Sequence, residues 1–107
     1  MKQKLLFICS RNKWRSPTAE DVWRNLGYAT RSAGTSRDAV NPVSLEDLRW
    51  AEHIFVMEVK HRQRLLAAYA RVLAHKPLHV LHIPDNYQYQ DPALVNLLKQ
   101  KVEPFLR

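Results

Sequence analysis

Apolar residues gather along the chain in short dense runs separated by longer amphipathic stretches. "KLLFIC" (Lys4–Cys9) is a compact apolar run and predicts a buried strand. Beyond a polar stretch, Ser16-Pro17 signals a helix start, and Ala19, Val22, Trp23 and Leu26 fall on one helical face before Gly27 stops it. "YATRSAG" (Tyr28–Gly34) predicts a second strand ending in a loop. "NPVSLEDLRWAE" carries a capping pattern, Ser44-x-x-Asp47, and predicts a short helix. A third strand follows at "HIFVME" (His53–Glu58). "KHRQRLLAAYARVL" then places Leu65, Leu66, Tyr69, Val72 and Leu73 at helical spacing. "PLHVLHI" (Pro77–Ile83) predicts a fourth strand and "IPDNYQYQ" a loop. Asp91-Pro92 opens a last helix with Leu94, Val95, Leu98 and Val102 inward. Strands alternating with helices predict an α/β fold: about four parallel strands in one sheet, with helices on both faces.

The length of 107 residues suits a single domain spanning 1–107, with 46% apolar and 25% charged residues as in an ordinary globular protein. One cysteine, Cys9, cannot form an internal disulfide, which fits a reducing compartment or a reactive thiol. The apolar run Leu5–Cys9 is too short for a signal peptide and no stretch approaches membrane-spanning length, so a cytoplasmic protein without membrane contact is expected. The formal net charge of +7 favours anionic partners without choosing among them.

The chemistry concentrates in "FICSRNKWRSP" (Phe7–Pro17), which runs from strand through loop to helix start. In parallel sheets ligands bind beyond the carboxyl ends of strands, near helix N-termini. Backbone N–H groups between Cys9 and Arg15 can take a phosphate there, helped by the helix dipole. Arg15 can grip two of its oxygens with a planar fork. The same field favours a nucleophilic sulfur at Cys9, aligned for attack on phosphorus with a phosphocysteine to follow. A buried structural cysteine closing a strand is the plain alternative.

"CSRNKWRSP" is similar to the Cys-x5-Arg-Ser loop of the low-molecular-weight protein tyrosine phosphatases, with Asn12 at that family's asparagine position. "RSAGTS" (Arg31–Ser36), "IFVME" and "PDNY" (Pro84–Tyr87) resemble later segments in the same order. The resemblance implies a phosphate-binding loop between first strand and first helix, with Cys9 as nucleophile and Arg15 as transition-state clamp. Asn12 would hold the loop's shape, and Ser16 would donate a hydrogen bond to the sulfur. Asp85 would protonate the leaving oxygen and then activate water. Tyr87 would line the entrance, and Ser10, Arg11, Lys13 and Trp14 complete the substrate loop. No metal or cofactor is implied; the substrate would be a phosphotyrosine-containing protein or another phosphorylated anion.

The chain departs from the family in being shorter, with the deficit between Thr35 and His53, and in carrying Trp14 where many members have a second cysteine. Arg11 stands where glycine is common, and Lys13 where a small or apolar residue is. Lys13 would repel phosphoarginine and suit acidic phosphopeptides. Asp91 competes with Asp85 as the acid, but Asp-Pro is a common helix opening and Asp85 directly follows the fourth strand. On a strand, His79 and His82 would face opposite ways, which argues against zinc with His75. His61 within "KHRQR" reads as part of a solvated helix face rather than a nucleic-acid site. Trp23, Trp50 and Tyr69 read as core, while Tyr87 and Tyr89 interrupt a polar loop. Two functions stay open: a phosphotyrosine hydrolase, and a module whose basic loop binds phosphate or polyanions without chemistry. A thiol-dependent arsenate reductase would need resolving cysteines that this chain lacks.

Overall fold

A computed structural model describes residues 3–106. Lys2, among the basic residues preceding the first apolar run, lies outside them. Four strands form one sheet: β1 (Lys4–Cys9), β2 (Ala29–Gly34), β3 (His53–Val56) and β4 (Leu78–Val80). Their order is β2-β1-β3-β4 and every pairing is parallel. The α/β reading of the sequence, a four-stranded parallel sheet with helices on both faces, is therefore the observed architecture.

Alternation along the two central strands explains the layers. Leu5, Phe7 and Cys9 of β1, with Phe55 and Met57 of the β3 segment, enter one core beside residues of α1 (Arg15–Asn25) and α4 (Pro92–Val102). Leu6 and Ile8, with Ile54 and Val56, enter the other beside α2 (Leu45–Trp50) and α3 (Val59–Leu73). Strands covered on both sides need apolar residues at every position, hence unbroken runs. Leu5, Leu6, Phe7, Ile8, Ile54, Phe55, Val56 and Met57 are all at 0% exposure. Burying each such side chain stabilises the fold by about 1.5–3 kcal/mol. Trp23 is buried in the first core, whereas Trp50 and Tyr69 pack half-buried against the second.

Local signals set most element ends. The Ser44 hydroxyl accepts from the Asp47 amide at 3.1 Å while the Asp47 carboxylate accepts from the Ser44 amide, closing a capping box. Asp91 caps α4 by accepting from the Ala93 amide at 2.9 Å. Three ends differ from expectation. Helix α1 starts at Arg15, one residue before Ser16-Pro17, with Trp14 as its N-cap. The third strand stops at Val56 because Glu58 already caps α3. β4 is shorter than Pro77–Ile83, since His82 takes a left-handed backbone (φ 55°) and interrupts the strand. The chain still follows β3, because Leu81 and Ile83 amides donate to Val56 and Met57 carbonyls.

β1 is followed in sequence by its neighbour on one side, and β3 continues the sheet on the other. That reversal opens a crevice beyond the carboxyl ends of β1 and β3, the usual ligand position in such sheets. Cys9 is the last residue of β1, so the loop before α1 lies at this crevice.

Candidate active site

The loop after Cys9 is held by its carbonyls. Those of Cys9, Ser10 and Arg11 accept from the Thr35, Ser36 and Val40 amides at 3.0, 2.9 and 3.0 Å. Asn12 sits at φ 57°, a left-handed conformation that asparagine tolerates better than most residues. With the carbonyls committed to the neighbouring segment, the amides of Ser10, Arg11, Asn12, Lys13 and Trp14 have no acceptor among the described residues. A run of free amides bent by one left-handed residue is an anion-binding nest. Gly34 makes the approach possible: a Cβ there would meet the Ser10 carbonyl oxygen at 2.5 Å and the Ala39 Cβ at 2.6 Å. Its backbone is otherwise ordinary, so space is what requires glycine.

The loop borders a cavity of about 330 Å³ lined by Cys9, Ser10, Arg11, Lys13, Trp14, Arg15 and Asp85. Cys9 is 3% exposed, yet it lines this cavity. Its Sγ lies 3.0 Å from Ser16 Oγ, which in turn accepts from Asn12 Nδ2 at 2.9 Å. The Ser16 proton can go to the sulfur or, at 3.3 Å, to the Ala33 carbonyl. Asn12 and Ser16 thus form a short relay ending on Cys9.

Arg15 is 2% exposed. Its Nη1 donates to Glu58 Oε2 at 2.6 Å and to the Ile83 carbonyl at 2.9 Å. Nε lies 3.7 Å from Asp85 Oδ1. Nη2 has no partner within the described residues and is not among the buried orphans, so it opens on the cavity. One side of the guanidinium is fixed to the protein while the Nε–Nη2 side is kept for a guest, the edge that grips two oxygens.

Glu58 and His61 were missed by sequence reasoning. Burial alone would raise the Glu58 carboxyl, but the Arg15 hydrogen bond and charge, with Lys60 and His61, hold it below its ordinary value. His61 is a correction: instead of standing on a solvated face, it is 1% exposed. Its Nδ1 accepts from the Glu58 amide at 3.0 Å, so the neutral ring carries its proton on Nε2 and donates to Ser10 Oγ at 2.8 Å. The ring props the loop after Cys9 against the start of α3. The signal available in sequence was position: both residues follow the carboxyl end of a central strand, beside the crevice.

Burial, reinforced by the Arg15 charge and opposed by Glu58, pushes His61 down to about 4 from 6.5. Unfolded chains take up a proton here near pH 6.5, while the folded ring resists until about pH 4. Stability is therefore expected to fall as pH drops through this window, by about 2 kcal/mol. Urea unfolding of wild type and His61→Gln from pH 7.5 to 4.5 checks this; the glutamine variant should lose the slope, and identical slopes would contradict it.

Asp85 is 58% exposed and lies on the segment after β4. This segment is tied to α1, with the Gln90 amide donating to Thr18 Oγ1 at 2.9 Å and the Tyr89 hydroxyl to Asp21. Asp91 is engaged as a cap and does not line the cavity. Tyr87 packs half-buried against the first core and is not among the cavity-lining residues. Arg11, Lys13 and Trp14 are exposed along the cavity wall, while Asn12 and Ser16 are buried beneath the loop. Among the described residues no three His, Cys, Asp or Glu side chains come together as metal ligands. No described helix is long and apolar enough to cross a membrane.

No protein-family model and no curated protein matches the sequence. Solved structures do match its fold. The tyrosine phosphatase Wzb from Escherichia coli K30, in complex with phosphate, superposes with a TM-score of 0.76 over 99% of this chain and 97% of its own, at 21% identity. The chain has the fold of the low-molecular-weight protein tyrosine phosphatases. SP-PTP from Streptococcus pyogenes, a phosphatase of this kind, gives 0.78 over 99% of this chain and 91% of its own at 18% identity. YwlE arginine phosphatase from Geobacillus stearothermophilus gives 0.73 over 97% and 90%, also at 18%. The low-molecular-weight phosphatase fold is thus shared by neighbours named for phosphotyrosine and for phosphoarginine.

Proposed function

We propose that this protein is a cysteine-dependent phosphomonoester hydrolase acting on phosphotyrosine in proteins. The observation carrying the proposal is that Cys9, Arg15 and the loop residues Ser10, Arg11, Lys13 and Trp14, whose amides lack partners among the described residues, line one cavity. A phosphoryl group seated there accepts from the amides and from Nε and Nη2 of Arg15. The sulfur of Cys9, steadied by the Ser16 hydroxyl, attacks phosphorus as the phosphorus–oxygen ester bond breaks. Asp85, in its protonated form, gives its proton to the departing phenolic oxygen. Water then attacks the phosphocysteine, Asp85 takes its proton, and inorganic phosphate leaves with Cys9 restored. No cofactor enters this scheme. The nest and the guanidinium hold the oxygens through the transition state, where charge shifts most.

Lys13 and Arg11 on the cavity wall favour an anionic phosphoester over a phosphoguanidinium. Phosphotyrosine is therefore the preferred substrate, although the fold also occurs in an arginine phosphatase. The test is hydrolysis of para-nitrophenyl phosphate, inhibited by vanadate and indifferent to chelator. Binding of phosphate without hydrolysis by wild type would replace this reading with that of a phosphate-binding module.

Asp85→Asn gives a sharper test of the acid. Its kcat should fall about 100-fold on phenyl phosphate, whose leaving group needs a proton, and far less on para-nitrophenyl phosphate. Equal losses on both would assign the acid elsewhere.

A further inference from the structure

The hollow over Cys9 does not end at Ser10. From Ser10 a groove runs between the segment 34–43 and α3 as two consecutive hollows of about 390 Å³ each, sharing Thr35, Arg64 and Ala67. Lys60 and Arg64, four residues apart and so on one helical face, line it from α3, and Arg37 lines it from the opposing segment. No Asp or Glu lines either hollow. Arg37 and Arg64 make no ion pair among the described residues, and Lys60 reaches only Glu58, at 3.8 Å. Arg24 and Arg31, by contrast, are matched, the first by Glu20 and Asp21 and the second by Glu46 and Asp47. Between the three cations the bed is small and apolar, with Pro42, Val43 and Ala68.

We propose that this groove receives an acidic peptide segment flanking the phosphorylated residue; the inference rests on the phosphatase reading above. Three like charges around one groove attract a complementary negative segment, and the apolar bed accommodates the backbone and side-chain stems of an extended chain. A single-stranded nucleic acid would call for exposed aromatic platforms, and of the two rings lining the groove Tyr69 is packed against the core and His61 is buried. Continuity with the catalytic hollow through Ser10 sets the order: phosphoryl group over Cys9, acidic flank over Lys60, Arg64 and Arg37.

The experiment compares two phosphotyrosine peptides that differ only in flanking Glu against Gln. Wild type should favour the acidic peptide about tenfold in kcat/KM at low salt, a preference shrinking as salt screens the pairs. The double variant Arg37→Ala/Arg64→Ala should reduce that preference to about twofold while leaving kcat/KM for para-nitrophenyl phosphate unchanged. Equal rates on the two peptides, or a preference untouched by the variant, would overturn the inference. Should wild type fail on para-nitrophenyl phosphate, the phosphatase reading falls by itself. The groove is then judged by binding: the unphosphorylated acidic peptide must bind wild type more tightly than its Gln counterpart and than the double variant. An oligothymidylate of equal charge that displaces the acidic peptide at equal concentration would overturn the choice of peptide.

Discussion

Cys9→Ser is expected to lower turnover of para-nitrophenyl phosphate at least ~1,000-fold, equivalent to about 4 kcal/mol of barrier. A hydroxyl in place of the thiol keeps nearly the same shape, so the contact with Ser16, 3.0 Å away in the wild type, and the surrounding core should survive. What goes is the nucleophile, because a serine hydroxyl is far weaker than a thiol and neither Ser16 nor His61 is placed to activate it. The nearest hydroxyl, Ser16, is itself a donor to this position, and neutral His61 is committed to Ser10. Phosphate binding should persist, since the amides and Arg15 are untouched. Steady-state rates, thermal melting and phosphate titration together test this; turnover within tenfold of wild type would refute covalent catalysis by Cys9.

The second large effect is expected at Arg15. Arg15→Lys should reduce kcat ~100-fold or more while moving the melting temperature little. Lysine retains a positive charge beside Glu58 but cannot hold Glu58 and Ile83 with one nitrogen while presenting two more donors to a phosphoryl group. Arg15→Ala should differ in kind. It strands the half-buried Glu58 carboxylate and opens a void at a 2% exposed position, so it should destabilise by about 3 kcal/mol. The informative comparison is therefore activity against stability across the two variants. Loss of activity that merely follows loss of stability would make Arg15 a structural residue only.

The parts of this molecule legible in the sequence are those set by short-range physics. Apolar runs marked the strands because central strands of a doubly covered sheet have no solvent face. Ser44-x-x-Asp47 and Asp91-Pro92 announced helix starts because caps act within three residues. The candidate loop was readable because Cys9, the free amides and Arg15 lie within one contiguous stretch. Glu58, His61 and Gly34 were not, because their importance arises from contacts across the fold. Glu58 meets Arg15 from 43 positions away, and His61 meets Ser10 from 51. "KHRQR" is polar throughout, and nothing in that composition distinguishes the one ring that turns inward. Gly34 ends a strand unremarkably until the loop's backbone is laid against it. The half-burial of Tyr87 has the same origin: packing against the first core decides its place, and a loop's sequence does not reveal that.

Arg15 sits between two carboxylates of unequal attachment, Glu58 gripped at 2.6 Å and Asp85 poised at 3.7 Å on the other side. The first is a fixed counterion; on the proposed function, the second occupies the neighbourhood that an incoming phosphoryl group would claim. Docking is therefore an exchange of one anion for another. A weakly charged competitor gains little by evicting Asp85, whereas a dianion gains much. On the proposed hydrolase reading the displaced carboxyl group would be left beside the ester oxygen, where its proton is wanted, so recognition of the guest and arming of the acid would become one event.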